Sequence, residues 1–246
     1  ARAYEMALLG RHPVVNDELA GVPFVLAWSP WARCAAAYVR PVVDGLRLEF
    51  GDSGKLMRNA SLPYDRQSTT LWNPLRGEAV WGALAGRPLE PLPVTATTWS
   101  GWVSSRPDTT AVVGEEGSPD PYAEYLVGPK IGHDAPVSVD GRLPAKEVVI
   151  GIALGDMAAA WALDDLARHP VSNAVLADRR ALLVYDAERA AVLAYDPVVD
   201  ERALAFEIVP DEAGPILRDT HTGSRWNGRS GYHGIGSGGL GQRQDV

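Results

Sequence analysis

Three side chains in this sequence are the candidates for binding a metal ion or supporting redox chemistry: His12, Cys34 and His169. Imidazole nitrogen and thiolate sulfur are ligands that copper and zinc favour in proteins. The two histidines stand in matching Arg-His-Pro-Val segments, one in each half of the chain. If folding brings them together, they would form a copper or zinc site with Cys34.

A structural role is the stronger interpretation of the same residues. Each histidine precedes a proline in a turn-like segment, where its side chain can cap backbone groups beside Asn16 or Asn173. Cys34 opens an apolar segment, in which a thiol behaves as a small hydrophobic group. The pattern favours structural histidines and a non-catalytic cysteine, and it leaves the metal site as the alternative.

Two carboxylates also stand at matching positions. Asp65 and Asp219 precede Trp72 and Trp226 by the same spacing. Such carboxylates could serve as acid-base groups. A carboxylate in a turn also accepts hydrogen bonds from backbone N–H groups, and it recurs wherever the turn is repeated. The repetition favours the turn role.

The elements that must position these residues form an internal repeat. Four blocks recur in the same order: Ala3-Tyr4 as Ala160-Trp161, Leu9–Asn16 as Leu166–Asn173, Pro41–Asp44 as Pro197–Asp200, and Asp65, Trp72, Asn73 and Gly77 as Asp219, Trp226, Asn227 and Gly231. This order indicates a gene duplication. A strand-like segment at 147–156 precedes the second repeat, so we expect an equivalent strand to be missing before Ala1.

Short apolar or alternating segments, bounded by Gly or Pro, predict β-strands in both repeats. The strands are expected at 24–28, 35–39, 46–50, 157–161, 182–185, 191–195 and 203–209, a short helix at 97–105, and a strand followed by a loop at 3–11. We therefore predict a mainly β protein of two duplicated lobes, each a twisted sheet or a partly closed barrel, with few short helices. The expected division is a first lobe at 1–113, a joining segment at 114–145, a second lobe at 146–235 and a flexible glycine-rich tail at 236–246.

The composition excludes several classes of function. The formal net charge is −8, with 31 acidic against 23 basic residues, so the chain is a poor ligand for nucleic acid. No apolar run reaches the roughly 18 residues that a membrane-spanning helix needs, so we expect no transmembrane segment. A single cysteine excludes an intrachain disulfide and a cysteine-pair redox centre.

Tryptophan is unusually frequent, with eight Trp against three Phe. Most of these rings are expected in the core, but exposed ones are typical of protein contact surfaces. We take Trp31, Trp81 and Trp102 as candidates for a partner surface.

Several further segments read as the marks of a known family: Ala1-Arg2-Ala3-Tyr4, His12-Pro13-Val14-Val15-Asn16-Asp17, Tyr64–Trp72, Thr98-Trp99 and Arg106-Pro107-Asp108-Thr109. On these segments the chain resembles an uncharacterised bacterial and archaeal family that is known only as a domain of unknown function. The resemblance covers nearly the whole chain. Its segments are specific as a set, although no single one of them is.

One departure from this family concerns the site chemistry. Where the family has Cys-Pro-Leu-Cys-Gly, this chain has Ser29-Pro30-Trp31-Ala32-Arg33. Cys34 lies two residues past the second family cysteine, which is about 7 Å along a strand. Because thiolate chemistry needs its sulfur at a fixed place, we expect that any metal or redox function of the cysteine pair is lost here.

Two classes of function follow. The first is a non-catalytic accessory or stabilising subunit without a cofactor, docked on a larger bacterial envelope complex, with membrane electron-transfer and photosynthetic complexes as candidates. Members of the family that the chain resembles often carry export or lipoprotein leaders, which implies an extracytoplasmic location, periplasmic or membrane-associated. The alternative is a metal-dependent or redox enzyme that uses His12, Cys34 and His169 with copper or zinc.

Overall fold

A computed structural model describes residues 1–134, 140–154, 157–210, 214–231 and 241–242. Within these residues the protein is mainly β, with four short helices, as predicted. The helices are α1 (Met6–Arg11), α2 (Trp99–Val103), α3 (Ala123–Val127) and α4 (Leu163–Arg168). None of the sheets closes into a barrel in the part of the chain that the structure describes.

The chain divides into two compact units. The first unit comprises Ala1–Val94 and Arg106–Asp140, and the second comprises Thr95–Ser105 and Gly141–Val246. Helix α2 thus belongs to the second unit, although its sequence follows the first repeat. The carbonyl of Arg189 accepts hydrogen bonds from the Thr97 hydroxyl and the Thr98 N–H, at 2.6 and 3.3 Å, and these bonds hold the segment there.

The first unit contains strands β1 to β12. They are β1 (Arg2–Tyr4), β2 (Val14–Leu19), β3 (Val22–Ser29), β4 (Cys34–Val39), β5 (Val42–Val43), β6 (Leu46–Arg47), β7 (Phe50–Met57), β8 (Ala60–Asp65), β9 (Leu71–Asn73), β10 (Glu78–Trp81), β11 (Pro91–Leu92) and β12 (Thr110–Val112). Two four-stranded sheets form, in the orders β11-β4-β3-β2 and β10-β9-β8-β7. Strand β12 pairs in parallel with β1.

The second unit contains strands β13 to β23. They are β13 (Val149–Leu154), β14 (Met157–Ala162), β15 (Val171–Leu176), β16 (Arg179–Asp186), β17 (Ala191–Asp196), β18 (Val198–Val199), β19 (Arg202–Ala203), β20 (Phe206–Ile208), β21 (Ile216–Asp219), β22 (Arg225–Asn227) and β23 (Gly241–Gln242). Their sheets follow the orders β15-β16-β17-β23 and β20-β21-β22, and β13 pairs with β14 as a separate hairpin.

The order of elements in the first unit recurs in the second. A strand, a short helix and a three-stranded meander occur as β1, α1, β2, β3 and β4, and again as β14, α4, β15, β16 and β17. Strand β23 pairs with Tyr195 of β17, as β11 pairs with Tyr38 of β4. The internal repeat of the sequence is therefore a repeat of structure.

Each unit has its own hydrophobic core, and the same aromatic pair lies in both. Phe50 and Trp72 pack edge to face with their ring centroids 5.7 Å apart, and Phe206 and Trp226 do the same at 5.7 Å. All four side chains are at most 5% exposed. Burial of these rings contributes a large share of the hydrophobic stabilisation of each unit.

Two segments differ from the expectation in instructive ways. The loop expected after Tyr4 is helix α1, because Leu9 turns inward and is buried against the sheet. Within the expected flexible tail, Gly241–Gln242 form a strand that pairs with β17, and the other residues of 236–246 lie outside the described residues.

Helices in the described part of the chain are six residues long at most, too short to cross a bilayer.

Candidate functional site

The two histidines occupy equivalent positions, as the repeat predicts. His12 ends helix α1, and His169 ends helix α4 with nearly the same backbone angles. The His12 N–H donates to the Leu8 carbonyl at 2.9 Å, and the His169 N–H donates to the Asp165 carbonyl at 2.8 Å. Both residues are exposed. Their shared feature is therefore a helix end, and each histidine belongs to a different unit.

His12 lines a shallow cavity of about 400 Å³ in the first unit, between helix α1 and residues 113–118. Two carboxylates, Glu5 and Glu115, and the Arg11 guanidinium also line this cavity. The Glu5 carboxylate has a structural role, because it accepts a hydrogen bond from the Gly114 N–H at 2.9 Å. Cys34 is not part of the cavity wall. Across the described ranges, no three His, Cys, Asp or Glu side chains are grouped so as to hold a metal ion.

Cys34 begins strand β4 directly opposite Ser29. Its side chain is half-buried, and burial raises the pKa of the thiol from 9.0 to about 11. The Ser29 side chain is fully buried, and its oxygen accepts a hydrogen bond from the Ser61 N–H at 2.9 Å. Ser29 is thus part of a serine hydrogen-bond network that joins strands β3 and β8.

Thiol labelling tests the non-catalytic assignment of Cys34. Because its pKa is raised by about two units, the native thiol should label roughly a hundredfold more slowly at pH 7 than an ordinary one. The rate should rise about tenfold per pH unit until the pH nears 11, since only the thiolate reacts. We expect Cys34→Ser to change the stability of the protein little, because the position is half-buried, and to leave its function unchanged. Fast labelling at neutral pH, or a metal ion lost on substitution, would contradict the assignment.

The repeated polar residues hold the fold together. Asn16 donates to the Phe50 carbonyl at 2.7 Å and accepts from the Phe50 N–H at 2.9 Å. Asn173 makes the same two bonds to Phe206, at 2.8 and 2.9 Å. Both asparagines join the meander of their unit to the strand that carries the core phenylalanine. Conserved identity between the repeats thus has a structural cause.

The repeated aspartates are turn carboxylates. Asp65 is fully buried and accepts from the Ser68 N–H at 2.6 Å and the Trp72 indole N–H at 3.0 Å. Asp219 accepts from the His221 N–H at 2.9 Å and the Thr222 hydroxyl at 2.5 Å. Burial acts to raise the pKa of Asp219, but the bonds from Thr222 and His221 outweigh it and lower that pKa. Each carboxylate therefore accepts its hydrogen bonds from residues close to it in sequence.

One charged cluster of the first unit has no counterpart in the second. The Tyr4 hydroxyl and the Arg2 guanidinium both donate to Asp17, each at 2.5 Å. Burial and then the Asp17 bond raise the pKa of Tyr4, while the Arg2 and Tyr4 bonds outweigh burial and lower the pKa of Asp17. The equivalent residues of the second repeat are Ala159, Trp161 and Ala174. The sequence analysis missed this cluster, although the difference between the repeats signals it.

Trp31 lies under residues of the expected joining segment. Its ring packs edge to face against Tyr122, Tyr125 and His133, with centroid distances of 5.2, 4.6 and 5.1 Å. The Lys130 ammonium lies 5.3 Å from the centre of the same ring. Trp31 is half-buried, so much of its surface is used within the first unit.

The other two candidate tryptophans differ in exposure. Trp81 ends strand β10 and is 64% exposed. Trp102 is half-buried in helix α2 of the second unit. Among the three predicted residues, Trp81 therefore presents the largest exposed indole surface.

Comparison with known proteins identifies the family of this chain but does not assign it an activity. Searches of curated proteins and of solved structures found no match. A family model described as a protein of unknown function (DUF3179) matches residues 1–244, which confirms the resemblance noted from the sequence. The chain belongs to the DUF3179 family, a family of unknown function.

Proposed function

We propose that this protein is a non-catalytic accessory or stabilising subunit that docks on a larger complex of the bacterial envelope, outside the cytoplasm. Membrane electron-transfer and photosynthetic complexes are the candidates for that partner. The proposal requires no cofactor. The observation that supports it best is the exposed indole of Trp81 at the end of β10.

The hairpin formed by β9 and β10 exposes two large apolar side chains, Trp81 at the end of β10 and Leu75 in the turn. Leu75, in the turn of that hairpin, is 59% exposed. The Arg76 and Glu78 side chains form an ion pair at 2.7 Å beside it. Large apolar anchors flanked by charged residues are typical of protein contact surfaces, where tryptophan is enriched among the residues that dominate affinity.

The polar side chains of the repeated motifs are already engaged in hydrogen bonds, which supports a binding role over catalysis. Asn16, Asp65 and their counterparts bond to backbone and neighbouring side chains of their own unit. The raised pKa of Cys34 disfavours the thiolate that a nucleophile or metal ligand needs. These groups stabilise the fold, and their hydrogen bonds do not favour an exchange of protons or electrons with a substrate.

Substitution of Trp81 tests the proposal. We expect Trp81→Ala to weaken binding to envelope membranes of the source bacterium at least about tenfold, because the indole is the central anchor. The free energy of unfolding of the Trp81→Ala variant should change by no more than about 0.5 kcal/mol, since the side chain is mostly exposed. Binding is measured by quantitative co-sedimentation, with unfolding followed by circular dichroism.

Trp99→Ala is the matched control, because Trp99 is 52% exposed but lies in the second unit. Unchanged binding of Trp81→Ala, or an equal loss in Trp99→Ala, would contradict the assignment of the surface. The enzyme alternative makes a different prediction: stoichiometric copper or zinc in protein purified without chelators, lost on replacement of His12 or Cys34. Fractionation that places the product in the cytosol would contradict the envelope location.

A further inference from the structure

The hairpin of β13 and β14 presents an unusually apolar surface. All of the side chains that the structure describes in these two strands are apolar or absent. Ile152, Ala159 and Trp161 turn toward the core of the second unit. The opposite face is lined by small residues, and Val149 at its base is 42% exposed. Exposed apolar strands with free edges are sites at which further strands add.

The hydrogen-bond pattern identifies which groups of β14 point away from β13. The Leu163 N–H donates to the Val148 carbonyl at 2.8 Å, which makes these two residues a hydrogen-bonded pair. In an antiparallel ladder such pairs alternate with pairs that do not bond to each other. With the observed register, Ala158 and Ala160 fall in the second class. Their N–H and C=O groups therefore lie on the outer edge of β14.

The first unit shows what occupies the equivalent edge. Strand β1 is the counterpart of β14, and β12 pairs with it in parallel. The Thr110 N–H donates to the Ala1 carbonyl at 3.2 Å, and the Glu5 N–H donates to the Val112 carbonyl at 3.1 Å. Ala1, Ala3 and Glu5 are the counterparts of Ala158, Ala160 and Ala162. The groups that β12 satisfies in the first unit are thus those that face outward from β14.

In the second unit, no strand of the described residues pairs with this edge. Among the residues that the structure describes, none bonds to the outward backbone groups of Ala158 and Ala160. Both residues are exposed, and Met157 at the start of β14 is 47% exposed. These groups are therefore accessible to a strand of the right direction.

We propose that the outer edge of β14 binds an extended segment of a partner protein, which adds as a parallel strand. The internal model is Thr110-Ala111-Val112, so the segment is expected to have small or β-branched side chains, with the residue opposite Ala160 as small as Ala111. A second molecule of this chain related by a twofold axis would pair β14 antiparallel to itself, opposite to the direction that the first unit uses. The site is independent of Trp81 and of the function proposed above.

The probe is a synthetic peptide with the sequence of Asp108–Gly114, titrated into the full-length protein. Amide resonances are followed by NMR, together with hydrogen exchange. We expect saturable shifts and increased protection at the N–H groups of Ala158, Ala160 and Ala162, at millimolar peptide.

Two proline substitutions distinguish the edges of the hairpin. Ala160→Pro removes an outward N–H of β14 without breaking a bond to β13, and it should weaken peptide binding about tenfold. Ala153→Pro is the matched control, because the Ala153 N–H points outward from the other edge, on β13. Peptide binding to Ala153→Pro should equal that of the unchanged protein. Circular dichroism confirms that both variants fold.

Three results would overturn the proposal. The first is the absence of saturable shifts at β14 up to several millimolar peptide. The second is an equal loss of binding in Ala153→Pro. The third is protection of the Ala158 amide that rises with protein concentration and disappears in Ala160→Pro, since this would identify a second molecule of the chain as the occupant.

Discussion

Replacing Arg229 by leucine is expected to lower the free energy of unfolding of the second unit by about 3 kcal/mol. The Asp186 carboxylate is 1% exposed and accepts two bonds from the Arg229 guanidinium, at 2.6 and 3.0 Å. Without Arg229, the described residues leave this buried charge only the Arg189 Nε at 3.6 Å and the Glu188 N–H at 3.2 Å. Because these remaining contacts offset part of the cost, we expect the lower end of the range for broken buried pairs.

The first unit provides the control for this prediction. Its equivalent residues are Ser29 and Leu75, a pair without charge. The double variant Asp186→Ser with Arg229→Leu should therefore be more stable than Arg229→Leu alone, because it leaves no buried charge. Urea unfolding, with hydrogen exchange to resolve the two units, measures both. A double variant that is less stable than the single one would refute the explanation.

Replacing Trp72 by alanine should destabilise the first unit by about 3–5 kcal/mol. The indole is completely buried, packs on Phe50, and donates to the Asp65 carboxylate at 3.0 Å. Trp72→Phe keeps most of the packing but removes one of the donors to the buried Asp65 carboxylate, which keeps its bonds from Ser68, so its cost should be about 1–3 kcal/mol. Urea unfolding followed by circular dichroism gives both values.

Two other tryptophans calibrate this result. Trp226→Ala should destabilise the second unit to a similar extent, because Trp226 is 5% exposed and packs on Phe206 in the same way. Trp81→Ala should change stability little, since its ring is mostly in solvent. A cost at Trp72 no larger than that at Trp81 would contradict the burial of Trp72, and a cost at Trp226 close to that at Trp81 would contradict the equivalence of the two aromatic cores.

Much of the fold could be predicted from local pattern. Alternation and turn residues predicted the strands that became β3, β4, β16 and β17, and the segment before Arg106 was correctly predicted to be helical. Helix α1 was missed because it is only six residues long, and such a helix is stabilised by its buried leucine rather than by its own propensity.

The candidate sites were harder to predict, because burial and partners depend on residues far apart in sequence. Trp31 and Trp81 are both tryptophans beside turns, yet one is covered by residues 122–133 and the other is exposed. The bond between Asp186 and Arg229 joins positions 43 residues apart. No local spacing indicates either contact.

The sequence by itself determined the β class, the internal repeat and the family, because strand alternation and repeated blocks are local properties that survive in the order of residues. Only the tertiary structure decided which of the repeated backbone groups have hydrogen-bond partners within the protein. Ala3 and Ala160 are the same residue in equivalent strands, but β12 bonds to one and no described strand bonds to the other. Strand pairing is a long-range contact, and the local sequence of a strand does not specify which neighbour its edge receives.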